Sequence, residues 1–136
     1  MVLSGKTAIV TGASRGIGPY IAKTLARQGV HINAVARSKS GLQETKSDIE
    51  LLGGSCNIYP FDLSNIEELE SLVSSIWSSH GPVQILVNNA GIEHYQHYDR
   101  ISKSEIPSIL HTNLHCPLEL SRAILPRMIN SREGHI

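Results

Sequence analysis

Aromatic residues are scarce in this chain: one Trp, one Phe and four Tyr among 136 residues. Few platforms exist on which nucleic-acid bases would stack. Net charge is absent too, with 12 basic side chains against 12 acidic ones. No basic stripe points to nucleic acid and no acidic tail points to disorder. No apolar run is long enough to span a bilayer, and Met1-Val2-Leu3-Ser4-Gly5-Lys6 already leads into a strand. Neither a membrane segment nor a signal peptide is therefore expected. The only two cysteines, Cys56 and Cys116, lie in apolar contexts without metal-like spacing. They are expected to be reduced, buried thiols in a cytoplasmic protein. The length suits a single domain over residues 1–136, and a chain of this size buries roughly two-thirds of its unfolded surface.

What is present begins with Thr11-Gly12-Ala13-Ser14-Arg15-Gly16-Ile17-Gly18. An apolar run, Thr7-Ala8-Ile9-Val10, leads into it and reads as a buried strand. Ile17, Ile21, Ala22, Leu25 and Ala26 then recur at helix-face spacing. Glycines between a strand and a helix admit two readings: a tight packing turn, or a cradle for a pyrophosphate at the helix start. Gly12 would turn the chain off the strand, while Gly16 and Gly18 would leave the approach free of a Cβ. The octet in this context favours dinucleotide binding.

Strands and helices then alternate. Strands are expected near Lys6–Val10, Val30–Ala36, Cys56–Phe61 and Gln84–Val87, with helices near Gly16–Gln28 and Gly41–Leu52. Leu42, Ile49 and Leu52 form the second helix's inward side. Ser64-Asn65-Ile66-Glu67 reads as a capping box opening a third helix, with Ile66, Leu69, Val73, Ile76 and Trp77 inward. A second box, Ser102-Lys103-Ser104-Glu105, opens a long helix to about Asn130, kinked at Pro117 and Pro126. Its candidates for burial are Ile106, Ile109, Leu110, Leu114, Leu118, Ile124, Leu125 and Met128. Gly134-His135-Ile136 looks like the start of a fifth strand. The fold class is thus α/β, a Rossmann-like parallel sheet of order 3-2-1-4 with helices on both faces.

The end of the second strand bears on cofactor choice. A carboxylate about 20 residues past the glycines would accept hydrogen bonds from the NAD ribose. Here Ala36 is followed by Arg37 and Ser38, so nothing repels a 2′-phosphate. Arg37, with Arg15 from the glycine turn, is placed to bind one, which points to NADP. Asp62, before Leu63, would either accept from the adenine amino group or act as a turn residue. Asn88-Asn89-Ala90-Gly91 closes the fourth strand, where small residues would let a cofactor ribose pass and the asparagines would bond neighbouring backbone. Among histidines, His94 and His97 in a loop and the pair His111/His115 are the zinc candidates. No third ligand has fitting spacing, and position 112 is Thr where a His-Glu-x-x-His helix has Glu, so no metal is expected.

Thr11 to Gly18, Asp62-Leu63, Asn88 to Gly91 and Asn113-Leu114 together resemble the ordered landmarks of the short-chain dehydrogenase/reductase family, over almost the entire chain. Arg15 and Arg37 resemble its NADP-preferring members. The resemblance implies an NADP(H)-dependent oxidoreductase interconverting a small carbonyl and an alcohol. It places Gly12, Ser14, Arg15, Gly16, Ile17, Gly18, Arg37, Ser38, Asp62, Leu63 and Asn88 to Gly91 at the cofactor. It also makes Asn113 the helix asparagine of the catalytic tetrad, and sets Tyr95 and Tyr98 in the loop bordering the substrate pocket. The family's serine lies just after its fifth strand, and its Tyr-x-x-x-Lys on the next helix. Tyr20, Tyr59, Tyr95 and Tyr98 are followed four residues on by Thr24, Leu63, Asp99 and Ser102, none of them lysine. The chain is accordingly expected to be a truncated, cofactor-binding portion without activity of its own. The alternative is a non-catalytic NADP-binding module that self-associates, because the fourth strand and the last helix would lack neighbours.

Overall fold

The computed structural model describes residues 2–93 and 95–136; His94, one of the loop histidines weighed for zinc, lies outside them. Four parallel strands form one sheet of order β3-β2-β1-β4. They are β1 (Thr7–Thr11), β2 (His31–Ala36), β3 (Cys56–Pro60) and β4 (Ile85–Val87). The helices are α1 (Gly18–Arg27), α2 (Lys39–Leu51), α3 (Leu69–His80), α4 (Glu105–Leu110) and α5 (Cys116–Ser131). None of them, among the described residues, is long and apolar enough to cross a membrane. This is the Rossmann-like α/β class expected from the alternation of patterns.

The central strands are largely apolar on both sides because both faces of the sheet are covered, Asn33 of β2 being a buried exception. Along β1, Ala8 and Val10 point to the core shared with α1 and α2, and Ile9 points to the core shared with α3 and α5. β2 repeats the pattern with Ile32 and Ala34 on the first face and Val35 on the second. The two cysteines are free, and each is buried in a different core, Cys56 on one face and Cys116 on the other. Burial pushes both thiols up to about 11, so they are inert at neutral pH.

Several local expectations change. Ile17 precedes α1 at its N-cap and is 70% exposed, so it faces outward rather than into the helix's packed side. Leu52 falls at the C-cap of α2 and is exposed, while Thr45 takes an inward position. Ser64 does not cap α3: its amide and hydroxyl both donate to Asp62 Oδ1, at 3.0 and 2.8 Å, and a 3₁₀ turn, Ile66–Glu68, precedes the helix. Only half of the second box forms, with Glu105 accepting from the Ser102 amide at 2.6 Å.

The expected long helix is broken into α4, a wider π-type turn over His111–His115, and α5. Pro117 has no N–H to give the Asn113 carbonyl one turn back, which disrupts the ladder at this point. The break shifts the phase of the apolar pattern. The buried stripe of α5 is Cys116, Leu120, Ile124 and Met128. Ile106, Leu110, Leu114, Leu118 and Leu125, expected inside, are exposed. Beside β4, His135 makes a parallel bridge to Ile85, donating to Gln84 O at 2.8 Å and accepting from Leu86 N at 2.9 Å. The outer edge of β4 is therefore partly paired rather than bare.

The turn between β1 and α1 depends on close backbone approach. A Cβ on Gly18 would sit 2.0 Å from the Gly12 carbonyl oxygen, so Gly18 lets helix and turn touch. Gly16 differs: its φ is +63° and no protein atom lies within 4 Å of where its Cβ would be. Gly18→Ala is expected to destabilise the chain by about 3 kcal/mol or more through backbone overlap. Gly16→Ala should cost only the left-handed strain of about 1–2 kcal/mol. Urea unfolding of both variants checks this, and equal losses would contradict the packing role of Gly18.

Candidate functional site

All four strands run parallel, so their carboxyl ends open on one side of the sheet, where ligands of such sheets bind. A cleft of about 1390 Å³ lies there. Gly12, Ser14, Arg15, Gly16 and Ile17 line it from the glycine turn, and Arg37 and Ser38 from the end of β2. Asp62 and Leu63 line it after β3, Asn89, Ala90 and Gly91 after β4, and Asn113 from the π-type turn. Residues far apart in sequence are thus gathered into one cleft. Two members of the expected set are not among its lining residues, and their contacts are structural. Gly18 packs against Gly12, and Asn88 Nδ2 donates to Ser121 Oγ on α5 at 3.4 Å.

The floor of the cleft is held by the Thr11 hydroxyl. It donates to Val87 O at 3.1 Å and accepts from the Asn89 and Ala90 amides, each at 3.0 Å. Asn89 answers from the other side, its Nδ2 donating to Thr11 O at 3.0 Å and to Gly12 O at 3.4 Å. The tips of β1 and β4 are thereby locked in register beyond the last ladder bond. A second tie comes from α2: the Thr45 hydroxyl donates to Ala13 O at 2.8 Å. Thr11 and Thr45 carry no sequence signal of this role, because their partners are remote along the chain.

Asn113 grips the loop after β4. Its Oδ1 accepts from the Ile92 amide at 2.8 Å, and its Nδ2 donates to Ile92 O at 2.7 Å. The side chain therefore fixes the backbone that follows Gly91. Ile92, Glu93, Ser108 and Thr112 line the cleft beside it, a set that the sequence patterns did not single out.

Charge in the cleft is uneven. Arg15 and Arg37 are both exposed and both line it. Asp62 is held below its ordinary value, first by the Ser64 amide, then by the Ser64 hydroxyl, with the Arg37 charge adding to both. Asp62 is thus a carboxylate acceptor at neutral pH. Ser38 caps α2 by accepting from Gly41 N at 3.2 Å, so the backbone start of α2 also faces this end.

The residues fit a dinucleotide. Gly16 leaves open space at the cleft wall where any side chain would project, and α1 begins beside it. His111 and His115 have ring centroids 5.9 Å apart, and no group of three His, Cys, Asp or Glu among the described residues is arranged to hold an ion.

Residues 6–136 match the family model described as short chain dehydrogenase. The ketoacyl reductase HetN of Nostoc sp. is 42% identical over 134 residues, covering 98% of this chain and 47% of that protein. The 3-oxoacyl-acyl-carrier-protein reductase FabG of Vibrio cholerae is 40% identical over 136 residues, covering 100% of this chain and 54% of that protein. The chain spans about half the length of these curated relatives. A crystal structure of a metagenomic short-chain oxidoreductase in complex with NADP superposes with a TM-score of 0.95 at 34% identity, covering 100% of this chain and 62% of that one.

Removing the Thr11 hydroxyl tests the floor of the cleft. Thr11→Val should cost about 2–3 kcal/mol, since two amides and a carbonyl lose their shared partner. Thr11→Ser should recover most of it. Denaturant unfolding of the pair checks this, and a Thr11→Val variant as stable as the parent would contradict it.

Proposed function

The chain belongs to the short chain dehydrogenase family, and from that membership we propose that its cleft binds NADP(H) as the cofactor-holding portion of a carbonyl/alcohol oxidoreductase. The observation that carries this reading is the meeting of Arg15, Arg37 and the open glycine turn in one cleft at the strand tips. When bound in a complete active site, NADPH would supply the hydride for carbonyl reduction. The chain's own residues bind and orient it. The start of α1 would take the pyrophosphate, and Arg15 and Arg37, both lining the cleft, would take the 2′-phosphate. Asp62 would accept from the adenine amino group. Ala90 and Gly91 leave room for a ribose, and Asn113 holds the adjoining loop in place.

No residue in positions 1–136 takes the part of the family's Tyr-x-x-x-Lys. Tyr59 lies toward the core, and burial pushes its phenol up, away from service as a base. This chain by itself is therefore expected to bind cofactor without turning over ketones or aldehydes. Its substrate is a small carbonyl or alcohol compound only in the setting of a complete active site.

Calorimetry with NADP and NAD tests the cofactor assignment. A charge-assisted hydrogen bond contributes about 1.5–3 kcal/mol, so Arg37→Asp should weaken NADP binding by about 10- to 100-fold. NAD binding should change far less, and equal losses for both would refute the assignment.

A second reading, a non-catalytic NADP-binding module that pairs with a second copy of itself, has its own observation. Leu110, Leu114 and Leu118 are more than half exposed along α4, the π-type turn and α5, with Ile129 beyond them. Sedimentation velocity should show a dimer that Leu114→Glu with Leu118→Glu converts to monomer. A parent chain that stays monomeric at high concentration would count against it.

A further inference from the structure

At the opposite end of the sheet from the cleft, three polar side chains meet. His31 opens β2, Asn57 stands second in β3, and His80 closes α3. The parallel register pairs Asn33 with Asn57 and Val35 with Tyr59. With a strand period of two, His31, Asn57 and Tyr59 then share the face on which α3 packs, and the last residue of α3 arrives beside them. None of the three is fully exposed, and none takes part in the cleft.

Their hydrogen bonds define a proton arrangement. Asn57 Nδ2 is a donor and lies 2.9 Å from His31 Nε2. That ring nitrogen accepts, so the proton of neutral His31 sits on Nδ1 and is donated to Ser55 Oγ at 2.5 Å. The same Asn57 nitrogen is 3.2 and 3.3 Å from the two ring nitrogens of His80. A point nearly equidistant from both lies over the ring, in line with neither lone pair. The two imidazoles have centroids 5.2 Å apart, tilted by 36°. Tyr59 meets His80 edge-on, with ring centroids 6.3 Å apart.

We propose that His31 Nε2, a ring nitrogen of His80 and the Asn57 amide form a site for a borderline divalent transition-metal ion of the zinc class. Two imidazoles bound to one tetrahedral ion at about 2.0–2.1 Å place their centroids roughly 5 Å apart, close to the spacing already present. Ser55 plays the supporting part such sites use, holding the Nδ1–H so that the Nε2 lone pair faces inward. His80 needs only a turn about its Cβ–Cγ bond, a broad torsion, to aim one nitrogen at the same point. Asn57 turns its amide so that oxygen replaces nitrogen, and water completes the shell. Two neutral imidazoles without a carboxylate select zinc, copper or nickel over magnesium or calcium. The bound ion would tie β2, β3 and α3 together. The proposal does not depend on the cofactor reading, because the site stands at the other end of the strands.

The test is calorimetric titration of Zn²⁺ into the chelator-treated chain, with Mg²⁺ as control. One zinc ion per chain is expected, with a raised thermal midpoint and no response to magnesium. His31→Ala and His80→Ala should each weaken binding at least tenfold, whereas His111→Ala with His115→Ala should leave it unchanged. A parent without saturable binding would overturn the proposal. So would affinity indifferent to His31 and His80, or affinity lost with His111 and His115. A measurement on the unsubstituted chain guards against misfolded variants. Ni²⁺ should broaden the NMR signals of His31, His80 and the Asn57 side-chain amide first. Broadening confined to other histidines would overturn the assignment.

Discussion

One hydroxyl group holds the two central strand tips together. Thr11 Oγ1 serves three backbone groups of β4 and the residues just after it, and Asn89 returns two bonds to Thr11 and Gly12. These contacts lie where the sheet ladder has run out and the chain must diverge into a turn and a loop. Without them the glycine turn and the Asn89–Gly91 segment would be separate loops. With them the two become one rigid floor. Gly12 fits under this floor only as glycine, since a Cβ there would stand 2.8 Å from Ala90 Cα. The same floor carries the next layer: Asn113 fixes Ile92, and Thr45 fixes Ala13.

The layered α/β plan was legible in the sequence because it rests on local patterns. Apolar strands bounded by glycines and amphipathic helices between them lead to the observed order, and Arg37 after Ala36 needed only its position to be noticed. The losses came where a remote partner decides. Ser64 looks like a helix cap in sequence, but Asp62 two residues earlier takes its hydroxyl. The α4–α5 stretch offers too many large aliphatics for periodicity to choose among. The π-type turn before Pro117 sets the phase, and the smaller Cys116 goes inside while Leu118 stays out. Thr11 and Asn89 are 78 residues apart, and His31 and Asn57 are 26 apart. No spacing rule links such pairs before the fold does.

The two ends of the sheet carry different chemistry. The carboxyl ends gather open glycines, arginines and a carboxylate acceptor, a set suited to a phosphorylated nucleotide. The amino ends gather neutral imidazoles and an amide. Between them lies an apolar interior whose thiols are buried and inert. Binding at the upper end needs no proton transfer from the chain, which accords with the absence of a tyrosine–lysine pair from residues 1–136. Family membership accounts for the fold that gathers these residues into one cleft.

We propose that Arg15 and Arg37 hold the 2′-phosphate of NADP. Phosphorus NMR of that phosphate, followed through a pH titration with the chain in saturating excess, reads it directly. A monoester phosphate titrates near pH 6 when free, and adjacent guanidinium groups favour its dianion. The account predicts an apparent pKa about one unit lower in the complex. A phosphate that keeps its free value while the nucleotide is bound would contradict it.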